Sequence, residues 1–145
     1  MKQGWILALA VLAASCATVP SGEAPATGGA SIPSGALDLG DWHHATPAAT
    51  LSAFQQTVTA RYASGLTLSA VSADLRRNDF SCAANHDTGD RGDPATQVCR
   101  KTVTQSGCTH TWQVHLFDHN DGQLTRARGL YDRRCGTDGL LGGPG

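Results

Sequence analysis

The hydrophobic and polar positions along this chain fall into successive patterns, each of which predicts a different kind of segment. Residues 6–14 form an unbroken apolar run, and residues 17 to about 39 are mostly Pro, Gly, Ala, Ser and Thr. The second stretch has nothing with which to bury a core, so it predicts a disordered tether. The following Asp38-Leu39-Gly40-Asp41-Trp42-His43-His44 either docks Trp42 against a folded domain or extends that tether as far as residue 45. Beyond it, Leu51, Phe54, Val58 and Tyr62 recur at steps of three and four, the period of an amphipathic helix. Thr46 suits its N-cap, Pro47 its first helical position and Gly65 its end. A second, shorter helix follows, with Thr67 as cap, Leu68, Val71 and Leu75 on one face, and Asn78-Asp79 as its stop.

From Asn85 to Pro94 the chain is turn chemistry throughout and predicts a solvated loop. Three strands are predicted after it, over residues 97–104, 109–118 and 123–134, with turns at Ser106-Gly107 and Asp121-Gly122. Taking Asp121-Gly122 as the central pair sets a register by counting outward. Asn120 faces Gln123, Leu116 faces Ala127, Val114 faces Gly129, Trp112 faces Tyr131 and Cys108 faces Cys135. The same count makes the two cysteines a hydrogen-bonded pair. Trp112, Val114, Leu116, Ala127 and Tyr131 then share one face, which should pack on the helices. A turn at Ser106-Gly107 adds Cys99 to that face, pointing to where Cys82 leaves the second helix. It also brings Lys101 inward, a conflict that an edge position or a longer turn would relieve. The expected fold is α+β: two helices on one face of a three-stranded antiparallel meander, over residues 46–136, with a glycine-dominated tail at 137–145.

Composition narrows this picture. Aromatic residues make up 6% of the chain and charged residues 16%, so the core is small and covalent staples are expected. A formal net charge of -1 argues against a nucleic-acid partner, which would call for a basic domain. Of five cysteines, Cys82, Cys99, Cys108 and Cys135 make an even set for Cys82–Cys99 and Cys108–Cys135 bridges in an oxidising compartment. The spacings are wide and contain no C-x-x-C, against a zinc site.

The fifth cysteine has its own setting. Lys2 supplies a positive start, the apolar run is shorter than the ~20 residues of a membrane-spanning helix, and Leu12-Ala13-Ala14-Ser15-Cys16 closes it. This stretch resembles the lipobox of bacterial lipoprotein signals, except that Ala13 stands where that family more often has Leu. The resemblance implies cleavage after residue 15 and acylation of Cys16, which would anchor the chain stably to a membrane. Ala17 rather than Asp after the anchor implies the outer membrane. A plain secretory signal cut near Ala13-Ala14-Ser15 is the alternative.

Gly65-Leu66-Thr67, Val71 and Leu75 resemble the G-[ML]-[ST]-x-x-x-V-x-x-x-L signature of the SmpA/OmlA family, small outer-membrane lipoproteins that include an accessory subunit of the β-barrel assembly machinery. The family's layout of two helices and a three-stranded meander agrees with the elements above, and a related fold occurs in disulfide-bearing β-lactamase inhibitor proteins. Arg76-Arg77-Asn78-Asp79 replaces the family's usual Gly-x-Pro turn, and four mature cysteines are not typical of the assembly subunit.

Catalytic chemistry is hard to place. Six histidines invite a metal reading, but no Glu or Cys completes a recognisable ligand set, and no cofactor is implied. His110 and His115, an odd number apart on one strand, point to opposite faces, and His115, Phe117 and His119 share the solvent side. Asp87, Asp90 and Asp93 lack the order of a calcium loop, and Arg91-Gly92-Asp93 reads as a chance tripeptide in a polar loop. No G-x-S-x-G setting marks a nucleophile. The remaining candidate is a surface: Arg126 and Arg128 on the outward face of the third strand, beside His115 and Gln113, with Arg100 on the first strand and Arg133 and Arg134 following. Such a stripe would dock an acidic partner or anionic headgroups, or simply keep a sheet face soluble. The expectation is therefore a non-enzymatic envelope lipoprotein, tethered by its lipid and binding another envelope protein, in outer-membrane assembly or maintenance. The alternative is an inhibitor of a secreted hydrolase such as a lysozyme, protease or β-lactamase.

Overall fold

A computed structural model describes residues 31–86 and 92–136. The lipobox with Cys16, the tether up to residue 30, Asp87, Asp90 and Arg91 of the polar loop, and the tail from residue 137 lie outside the described residues.

Both helices begin as their caps require. Helix α1 (Pro47–Arg61) starts where the Thr46 hydroxyl accepts the Ala49 N–H at 3.2 Å, with Pro47 in the first turn. Helix α2 (Leu68–Arg77) starts where Thr67 accepts the Ala70 N–H at 3.2 Å. Thr50, Phe54 and Val58 form the buried stripe of α1, and Val71, Ser72, Asp74 and Leu75 that of α2. Gly65, at φ 90°, shapes the connector beyond α1 rather than closing the helix, whose C-cap is Tyr62.

The sheet is antiparallel and has four strands in chain order, β1 (Ser81–Ala84), β2 (Gln97–Gln105), β3 (Cys108–Phe117) and β4 (Arg126–Cys135). The expected three-stranded meander is corrected by β1. This strand reads Ser-Cys-Ala-Ala, without the β-branched or aromatic residues that announce a strand. It exists because its backbone pairs with β2 and because Cys82 lies opposite Cys99, to which it is disulfide-bonded. β2 and β3 turn tightly at Ser106 and Gly107, whose φ values of 53° and 77° are the left-handed pair that a two-residue hairpin needs.

The β3–β4 connection follows the expected register by a different route. Leu116 faces Ala127, Val114 faces Gly129, Trp112 faces Tyr131, and Cys108 faces Cys135 in a disulfide. Yet the strands part at Phe117 and Arg126, and residues 118–125 form a loop rather than a two-residue turn. That loop is centred on Asp121-Gly122, so the count survives although the turn does not. Its far arm pairs with the helix connector: Gly65 N–H donates to Leu124 O at 2.8 Å and Leu124 N–H to Leu66 O at 2.7 Å. The parity of the ladder is corrected with it. Gly136 N–H donates to Gly107 O at 3.1 Å, which makes Cys108–Cys135 a non-hydrogen-bonded pair, the kind with the closer side chains.

Both helices cover one face of this sheet, α1 against β4 and α2 against β1. Phe54, Val58, Tyr62, Val71 and Leu75 meet Cys99, Trp112, Val114, Leu116 and Tyr131 in one core. Gly129 lets α1 approach: a Cβ there would lie 3.0 Å from the Phe54 ring and 3.2 Å from Val58. Lys101 does point inward, and the conflict is relieved at its tip, where Nζ reaches Asn78 O at 3.0 Å and Asp79 Oδ2 at 3.4 Å at the end of α2.

The segment before α1 is not tether. Leu37 is buried, its N–H bonded to Asn78 Oδ1 at 2.7 Å, and Ile32, Leu39 and Trp42 pack on the core. The Leu39 carbonyl accepts Trp112 Nε1–H at 3.2 Å. The expected tether is therefore corrected over residues 32–37, and of the two readings of residues 38–44 the one that docks Trp42 is observed; together they form a strap tied to buried groups, whose scattered apolar residues among Pro, Gly and Ser hide it from any periodicity. The strap, α1 and α2 meet at Asp74. Its carboxylate receives Arg61 Nε at 2.8 Å, Tyr62 Oη at 2.8 Å and Arg77 at 2.9 Å, while Arg61 also donates to Gly35 O at 2.8 Å.

Candidate functional site: the open face of the sheet

With both helices on one side, the other face of the sheet carries no element among the described residues. Strand alternation decides which side chains stand on it. From β1 come Ser81 and Ala83, from β2 Val98, Arg100 and Thr102, from β3 Gln113, His115 and Phe117, and from β4 Arg126, Arg128 and Leu130. The register places His115 between Val98 and Arg128 and puts Gln113 between Arg100 and Leu130. The four residues singled out as a binding stripe, Arg100, His115, Arg126 and Arg128, are thus brought to one face. Arg100, Arg126 and Arg128 are exposed, and a shallow groove lined by Ser81, Ala83, Val98, Arg100 and Thr102 runs along one end.

The electrostatics follow from this packing. Burial pushes the His115 imidazole below its ordinary value, and Arg128 and Arg100 push it the same way. The ring is therefore neutral near pH 7, bonded through Nε2 to Gln113 Oε1 at 3.2 Å. Arg126 sits over Phe117, its guanidinium carbon 3.9 Å from the ring centroid, and approaches Asp93 at 3.9 Å. Phe117, expected on the solvent side, is accordingly buried beneath Arg126. The face presents positive charge, interleaved with Val98 and Leu130, and its acid on β4, Asp132, is engaged by Arg134 at 2.9 Å.

Two other expected placements need correction. Arg133 does not continue it, because alternation turns Arg133 to the helix side, opposite His110. His119 lies past the end of β3, in the loop. His110 and His115 do point to opposite faces, but His110 is buried, its Nδ1 2.7 Å from Tyr131 Oη, rather than displayed on a polar surface. The sequence offered Trp42 as a docking residue but not its packing on His110, and it gave no sign of the Asp74 network; the Arg61-to-Asp74 pairing crosses between helices and has no local signal. Among the described residues no three His, Cys, Asp or Glu side chains group as metal ligands, and no helix is long and apolar enough to cross a membrane.

No family model, curated protein or solved structure matches this chain.

Proposed function

We propose that this chain is an exported bacterial lipoprotein whose domain is a non-enzymatic interaction module, binding an acidic protein of the cell envelope through the open face of its sheet. The observation that carries the reading is that face itself. Arg100, Arg126 and Arg128 stand exposed across three strands with Val98 and Leu130 between them. Aliphatic and guanidinium groups side by side supply both the buried contact and the charge pairing that protein partners use. Two disulfides accord with an oxidising compartment, and the lipobox-like Leu12-Ala13-Ala14-Ser15-Cys16 supports lipid attachment at Cys16. A role in outer-membrane assembly or maintenance rests on the Gly65-Leu66-Thr67, Val71, Leu75 motif, since β1 departs from the layout of the family it resembles.

The test is crosslinking of the full-length, membrane-attached protein in cells, with Arg100→Glu/Arg128→Glu as the comparison. A partner recovered with the wild type should be lost with the double variant, its affinity falling on the order of a hundredfold where like charges are forced together. The same partner recovered equally from both would overturn the assignment to this face. A hydrolase recovered in that experiment would make the module an inhibitor.

A further inference from the structure

The inner face has a second polar site, at the β2–β3 turn end of the sheet, lined by the strap and strands and by no helix residue. There the strap crosses His110, and Trp42 packs edge-on against both His110 and Trp112, with ring centroids 4.8 and 5.3 Å apart. A crevice of about 150 Å³ opens beside them, lined by Trp42, His43, Gln105, Ser106, Cys108, His110 and Arg133. None of these residues is an acid. Three basic groups elsewhere on this side of the sheet and between the helices are matched: Lys101 reaches Asp79, and Arg61 and Arg77 hold Asp74. Around the crevice, Asp41 is engaged by His44 at 2.9 Å and Asp132 by Arg134 at 2.9 Å, and no ion pair is formed by Arg133 among the described residues.

We propose that this crevice binds a phosphate group, free or as a monoester. Residues that carry donors line it from separate elements: His43 from the strap, Gln105 and Ser106 from the end of β2 and its turn, Arg133 from β4 and His110 from β3. A tetrahedral oxyanion can be met from several sides in this way, and arginine is the side chain best suited to it. The Tyr131 hydroxyl occupies His110 Nδ1 at 2.7 Å, which leaves Nε2 as the ring atom for the crevice. When the ring is protonated, Nε2 carries a proton and adds a donor to the set. Burial holds the His110 imidazole below its ordinary value, and Arg133 and His43 act in the same direction. On β2, apolar Val103 lies opposite His110, and on β4 Tyr131 is the other titratable neighbour. A dianion in the crevice supplies the missing countercharge and favours the protonated ring.

The experiment is NMR of the His110 ring in the full-length protein, titrated with inorganic phosphate and, separately, with glycerol 3-phosphate. Acetate and chloride at matched ionic strength are the controls. Saturable shifts of His110 with phosphate, and a rise in its titration midpoint corresponding to roughly tenfold tighter phosphate binding by the protonated ring, are expected. Arg133→Gln should abolish both, whereas Arg134→Gln, the next residue of β4 and on the opposite face of the sheet, should leave them intact. Tighter binding of glycerol 3-phosphate would identify the ligand as a monoester, as in a phosphatidate headgroup; tighter binding of inorganic phosphate would identify the free ion. Shifts that follow ionic strength alone, or that persist in Arg133→Gln, would overturn the proposal.

Discussion

Asp74 is 3% exposed and sits where the strap and both helices join, so its ionisation bears on the whole fold. Burial pushes its carboxyl up, but the hydrogen bonds from Arg61, Tyr62 and Arg77 outweigh that and hold it below the ordinary carboxylate range. The group therefore stabilises the folded state fully above its unfolded value, near ~4, and loses that contribution as the pH falls toward the lower folded value. Asp74→Ala leaves the largely buried Arg61 without its partner and should cost about 3–5 kcal/mol in urea unfolding at pH 7, with the difference from wild type shrinking on acidification. His110 adds an earlier loss with the same sign. Its folded value is depressed, so stability present above about pH 6.5 is lost as the pH falls through the folded value. Unfolding curves between pH 8 and pH 3 should thus decline in two stages; because burial depresses His115 as well, His110→Gln should reduce the first stage and His110→Gln/His115→Gln should remove it. At this scale the sequence was legible only where a rule is local. Thr46 and Thr67 announce themselves as caps, whereas Asp74 meets Arg61 through a helix–helix approach that no spacing encodes.

Among the elements, β1 depends most on its staple. It has four residues, one paired neighbour and little buried surface, so Cys82–Cys99 and backbone bonds to β2 hold it. Cys82→Ser/Cys99→Ser should cost roughly 2–4 kcal/mol and raise hydrogen exchange first in β1 and at Phe80, leaving the β3–β4 ladder protected. Uniform loss of protection would show instead that β1 is integral to the core. The approach of α1 to β4 makes an equally local prediction. Gly129→Val forces atoms into the space held by Phe54 and Val58 and should destabilise by about 1–3 kcal/mol, with Leu130→Val on the open face nearly neutral. Turn chemistry made the β2–β3 hairpin readable, and the symmetry of residues 118–125 preserved the β3–β4 register although the turn itself was misread. β1 and the strap were hidden because neither has a periodic apolar pattern; long-range pairing and a few anchors, Leu37, Leu39 and Trp42, create them.

At the scale of the whole molecule, sidedness is the property that matters. Helices and strap occupy one side of the sheet and leave the arginines of the other exposed. Alternation predicted that Arg100, His115, Arg126 and Arg128 share a face, and the fold agrees; the same rule, followed to the end of β4, removes Arg133 from the stripe and hands it to the crevice. Leader, lipid and oxidised thiols belong to one proposal about where the domain works. Mass spectrometry of the intact protein taken from its native membrane, before and after reduction and alkylation, tests that proposal most directly. The account predicts a mature chain beginning at an acylated Cys16, with the other four cysteines linked as Cys82–Cys99 and Cys108–Cys135. A full-length chain retaining Met1, unacylated and with free thiols at all five cysteines, would contradict it.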